Sequence, residues 1–201
     1  PKNPLTARVY VNRLWQSHFG SGIVDTTEDF GVQGSIPTNL PLLDYLAVEF
    51  QRSGWDVKHM QKLMVMSATY RQSSNIPREL LEKDSKNVWL ARGPRYRLPA
   101  EMIRDNALMA SGLLVRTIGG DAVFPYQPDG VWNNIGTGPN IYPAGVPADE
   151  YHRRTLYTYI KRNALFPTLQ VFDVQDRNVS SVTRKISNTP LQALVLLNDP
   201  Q

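Results

Sequence analysis

The chain has 201 residues, 41% of them hydrophobic and 20% charged, with 13 glycines, 15 prolines and no cysteine. This composition excludes a disordered or collagen-like chain, and the missing cysteines exclude disulfides, thiolate nucleophiles, cysteine-bound zinc and covalently attached c-type haem within this chain. No apolar run approaches the roughly 20 residues that cross a bilayer, so no membrane span is predicted, and the length suits a single domain over residues 1–201.

The start at Pro1-Lys2-Asn3-Pro4, without methionine or leader, suggests a piece of a longer protein. The net charge of +4 conceals alternating blocks: −2 over residues 1–50, +6 over 51–100, −4 over 101–150 and +4 over 151–201. Alternation favours closure of one block on another, whereas a nucleic-acid binder gathers Lys and Arg on one face. A nucleic-acid partner is therefore not predicted.

The first half reads as helices. Asn3-Pro4 is a cap followed by proline at the first helical position, and Leu5, Val9, Val11, Leu14 and Trp15 form an apolar stripe that ends near Gly20. Asn39 with Pro41 opens a second helix, with Leu43, Leu46, Ala47 and Phe50 spaced by three and four before Gly54 stops it. Asp56 caps a third, carrying Val57, Met60, Leu63 and Met64 and running to about Arg71, so that the two form an αα-hairpin. A fourth begins at Pro99 with Ile103, Ala107, Ala110 and Leu114 as its buried row.

The second half changes character. From Thr117 to Ala148 there are six glycines and five prolines, which predicts a long ordered loop over 117–148 with no persistent helix or strand. Tyr151–Arg162 alternates as a strand does, and Asn178–Ser187 is β-branched and polar, so the two are expected to pair as a small antiparallel ribbon. Thr189-Pro190 opens a last helix, 191–197. The fold class predicted is mainly α, about five helices, with a small antiparallel β element and a long Gly/Pro-rich loop.

Several groups of residues carry chemistry. His18, Asp25 and Asp29, on or beside a glycine-rich stretch, would serve as a general acid/base group or oxygen-rich cation site. The competing reading is a capping turn with His18 at the negative end of a helix, and the lack of EF-hand spacing or of a second histidine at ligand spacing favours it, so no metal is predicted. Glu101 and Asp105, with Arg104 between them on one helical face, would be the catalytic carboxylate pair of a hydrolase or lyase; an ion-pair network at a helix start is the alternative. Arg8, Asn12 and Arg13, together with Arg104, predict a partly buried polar network in which an arginine pairs with a carboxylate of the 101–105 helix.

Two binding surfaces are further candidates. Arg153, Arg154, Arg177 and Arg184 suit sulfated or uronic polysaccharide, or closure onto the acidic block before them. Tyr126, Trp132, Asn133 and Tyr142 in the long loop combine rings with an amide, as a glycan platform requires, and the same rings would equally pin a loop from inside.

The strings Asn3-Pro4-Leu5-Thr6-Ala7-Arg8-Val9-Tyr10-Val11-Asn12-Arg13-Leu14-Trp15, Ser67-Ala68-Thr69-Tyr70-Arg71-Gln72-Ser73, Arg92-Gly93-Pro94-Arg95-Tyr96-Arg97-Leu98, Glu101-Met102-Ile103-Arg104-Asp105 and Asn188-Thr189-Pro190-Leu191-Gln192-Ala193-Leu194 follow in that order. Together they resemble the planctomycete domain of unknown function 1553 over nearly the whole chain. The resemblance implies the C-terminal part of a large exported protein, periplasmic or at the cell surface, often with a c-type cytochrome domain elsewhere. Any haem would belong to that domain, leaving no cofactor here. It also implies that the other domains of the parent protein are partners. Three roles follow as expectations: a non-catalytic interaction or glycan-associated module, a polysaccharide-acting hydrolase or lyase, or an electrostatic docking scaffold for the haem domain.

Overall fold

The computed structural model describes residues 3–132, 142–143 and 145–200. It divides into two compact units, Pro1–Tyr96 and Arg97–Gln201.

The first unit is built on three helices whose starts are fixed by side-chain caps. In α1 (Pro4–Phe19) the Asn3 side chain accepts the Leu5 N–H at 2.9 Å, and the helix ends where Gly20 takes φ 86°, a conformation that costs glycine little. A Cβ there would meet the Tyr96 ring at 3.0 Å. Asn39 caps α2 (Leu40–Arg52) by accepting from Leu42, and Asp56 caps α3 (Val57–Val65) by accepting from His59. The predicted αα-hairpin is present, with Trp55 folded edge-on against Phe50 at 5.0 Å.

α3 stops six residues before the predicted Arg71. Ser67 ends it by donating its hydroxyl to Met64 O and accepting the Tyr70 N–H, a local bond that competes with the helical one. Ala7, Val11 and Trp15 from α1 pack with Leu43, Leu46 and Phe50 from α2 and Met60 and Met64 from α3, closed over by Ile23 and Val24. A short helix, α4 (Arg78–Lys83), has no buried residue.

The second unit starts with α5 (Ala100–Ala110), followed by the single turns α6 (Ala148–Tyr151) and 3₁₀ Thr155–Tyr157, then α7 (Pro167–Val171) and α8 (Pro190–Asn198). The buried face of α5 is Ala100, Arg104 and Leu108. The predicted row was displaced around the helix: Ala107 and Ala110 are exposed, and Leu114 lies beyond the helix end. The core gathers Ala100, Trp132, Phe166, Leu169 and Phe172, with Phe124, Tyr142 and Tyr159 packed against them. On α8, Leu191, Leu194, Leu196 and Leu197 are each more than half exposed.

The mainly α class holds, but the antiparallel ribbon does not form among the described residues. Tyr151–Arg162 is a helix end and a 3₁₀ turn, and its backbone pairing with the chain before it is limited to isolated parallel bridges, Val115 with Arg153 and Val123 with Thr158. Thr155 is held in its turn by α5, as described below. Asn178–Ser187 is held by local turns and by side-chain bonds instead: Asn178 donates its N–H to Asp176 Oδ1, Ser181 its hydroxyl to Thr183 O, and Ser187 its N–H to Asp173. Within 117–148, the described part has no helix before Ala148.

Candidate functional site

In the first unit the residues of the predicted polar network separate, and Asn12 alone serves the backbone. Asn12 is fully buried, donates Nδ2–H to Val24 O at 3.0 Å and accepts the Val24 N–H at 2.9 Å. One amide thus satisfies both polar groups of a buried residue that no helix or strand serves. Arg8 pairs with Asp44 on α2 at 2.7 Å, not with the 101–105 helix; the i, i+4 geometry of α1 faces it toward α2. Arg13 is exposed and outside this network.

The members of the first acid/base group have separate surroundings. Asp25 pairs with Lys86 at 3.2 Å, and Asp29 Oδ1 accepts the Gly31 N–H at 2.7 Å. His18 lies edge-on to Tyr70, and burial lowers its pKa below the ordinary 6.5 while its Nε2 has no hydrogen-bond partner among the described residues. No three His, Cys, Asp or Glu of the described residues are grouped to hold a metal ion.

The second carboxylate pair is also divided. Glu101 accepts from Arg184 at 2.7 Å, while Asp105 Oδ1 accepts both the N–H and the hydroxyl of Thr155, at 2.8 and 2.7 Å. Arg104, 8% exposed, donates to Arg153 O at 2.9 Å, to Thr155 Oγ1 at 3.1 Å and to Tyr151 O. Burial pushes its pKa down, with Asp105 and Asp199 opposing. Neighbouring residues of α5 thereby clamp the 151–155 segment.

The loop aromatics turn inward. Trp132 is 2% exposed, donates Nε1–H to Ala164 O at 3.0 Å, and meets Tyr142 edge-on at 5.6 Å. Tyr142 donates its hydroxyl to Pro125 O at 2.9 Å, and burial leads the causes that push its pKa up to about 12. A buried indole offers no face to a sugar, so Trp132 and Tyr142 act as the pins of the loop. Tyr126 is 40% exposed, beside Pro128 and Leu194 along an apolar groove; Asn133 lies outside the described residues.

The four candidate arginines part company. Arg153 lies 4.5 Å over the Tyr157 ring and donates to the carbonyls of Thr117, Gly119 and Asp121, which closes it on the loop before it through backbone oxygens. Arg154 is exposed at the start of the 3₁₀ turn. Arg177 and Arg184 share a polar cleft of about 490 Å³ with Glu101, Asn178, Ser180 and Ser181.

Residues 1–201 match the family described as PSD1, protein of unknown function (DUF1553). The chain belongs to that family. No curated protein and no solved structure matches it.

Sequence reasoning missed one network of this DUF1553 chain. Asp173, with φ 59°, accepts from Arg97 at 2.6 Å and from the Ser187 N–H at 2.7 Å, and Ser187 in turn takes a bond from the buried Gln192. The Ser187 amide leads the causes that hold the Asp173 carboxyl below its ordinary range; partial burial opposes it, and the Arg97 charge helps. Arg97 is thus committed to a residue 76 positions away. No local periodicity announces such a pairing.

Proposed function

We propose that this DUF1553 chain is a non-catalytic binding module whose second unit takes the sulfate or carboxylate groups of an anionic polysaccharide. The observation that carries this reading is the pairing of Arg177 with Arg184 in one open polar cleft. Arg177 has no hydrogen-bond or ion-pair partner among the described residues, and Arg184 has only the single carboxylate of Glu101. Guanidinium forks match planar or tetrahedral oxyanions, and neighbouring Ser180, Ser181 and Asn178 add neutral donors for sugar hydroxyls. The engagement of Asp29, Glu101 and Asp105 in hydrogen bonds within the chain supports binding over acid/base chemistry. The resemblance to parts of large exported proteins supports an extracellular polymer as the partner.

The test is retention of the chain at low salt on immobilised dextran sulfate and polygalacturonate, with neutral dextran as control. Binding is expected to weaken as salt rises and to fall about tenfold or more in the Arg177→Ala/Arg184→Ala double variant. Glu101→Gln, which releases Arg184, is expected to bind more tightly. Equal retention of the double variant, or no retention on either polyanion, would overturn the proposal.

A further inference from the structure

We infer a second binding site, in the first unit and for a different ligand: a neutral saccharide ring. The loops of this unit leave a cleft of about 470 Å³, within the range of small-ligand sites. Leu42 and Leu90, with the exposed Ile36 and Val88, give it an apolar side, and the buried Trp15 and Ile23 close its base. One wall is preorganised, because the Asn12 bridge fixes Val24 and leaves no room beside Gly22, where a Cβ would stand 2.4 Å from Val24 O.

Two features of the rim choose the ligand class. Asp25 and Lys86 meet there at 3.2 Å with 60% and 76% of their side chains exposed, so the pair is neutral as a whole yet open to solvent. A charged ligand competes with one partner for the other, whereas a hydroxyl donates to the carboxylate and accepts from the ammonium without separating them. Asn39, whose Oδ1 is spent on the α2 cap, retains its amide N–H groups for an acceptor. A ligand with one apolar face and hydroxyls that both give and take hydrogen bonds meets both conditions and suits the apolar lining, and a pyranose ring has this chemistry.

The site is independent of the anion cleft, since it uses other residues and an uncharged ligand. Its test is amide chemical-shift mapping of the whole chain titrated with glucose, galactose, mannose and N-acetylglucosamine, with glycerol as the control for a flexible polyol. At least one sugar is expected to shift amides of residues 21–25, 35–42 and 86–90 saturably in the millimolar range, with glycerol leaving them unmoved. Lys86→Met and Asp25→Asn are each expected to weaken that binding about tenfold, through loss of hydrogen bonds to the sugar. Both are expected to keep the melting temperature, because an exposed ion pair adds little to stability, and to keep dextran sulfate retention. The inference is overturned if no sugar shifts these amides, if glycerol shifts them equally, or if both variants bind as the parent does.

Discussion

The indole of Trp132 is enclosed on several sides: Phe166 at 5.3 Å, Tyr142 at 5.6 Å, and Lys161 Nζ 5.0 Å over the ring. Its N–H is taken by Ala164 O. Every part of the side chain that would meet a sugar therefore meets protein, and the residue type that suggests a glycan platform is consumed in closing a loop that has no ladder of its own. Truncation removes a buried aromatic and leaves a void that the pinned loop cannot fill, so Trp132→Ala is expected to cost about 3–5 kcal/mol of stability. Trp132→Phe keeps part of the packing and loses the hydrogen bond, and its expected cost is about 1–2 kcal/mol. Urea denaturation of both variants checks the order. A Trp132→Ala chain as stable as the parent would return the ring to a surface role.

α5 works as a template for a segment 50 residues further along the chain. Arg104 distributes one guanidinium over acceptors on Tyr151, Arg153 and Thr155, and Asp105 takes both donors of Thr155. A lysine ammonium keeps the charge but lacks the planar fork that reaches separated acceptors. Arg104→Lys is therefore expected to lose about 2–4 kcal/mol, since hydrogen bonds to a charged group contribute roughly 1.5–3 kcal/mol each and some are retained. Faster amide exchange at Thr155 should accompany the loss; unchanged melting with unchanged exchange would show that the clamp is dispensable. This clamp also explains what was legible beforehand. Asn3, Asn39 and Asp56 announce their helices because a cap acts within three residues. The buried face of α5 differs from the apolar row of the sequence because a buried arginine looks polar in sequence, and Tyr151–Arg162 departs from the strand its alternation predicts because its residues are shaped by partners on a distant helix. At the candidate site, Arg177 and Arg184 were visible as cations, whereas the bond of Arg184 to Glu101 spans 83 positions and has no local pattern.

The two units each own a core, and this decides how the molecule should come apart. Every buried residue of the first core lies between Ala7 and Met64, with Leu90 the last apolar residue packed on it. The chain then returns once more to α1, where Tyr96 lays its ring against Gly20 and donates its hydroxyl to Ser17 O at 2.5 Å. Burial, with Tyr70 nearby, pushes the Tyr96 pKa up, so that hydroxyl keeps its proton across the neutral range. Tyr96 is both the last residue of the unit and the strap that closes it. A chain of about 100 residues with three capped helices and one contiguous core is large enough to fold alone. Residues 1–96, expressed without the rest, are therefore expected to unfold in one cooperative transition, with amide shifts matching those of the same residues in the whole chain. Tyr96→Ala in that fragment removes the strap and should lower its melting temperature without abolishing the transition. A non-cooperative melt, or collapsed amide dispersion in the 1–96 fragment, would mean that the first core depends on residues beyond Tyr96.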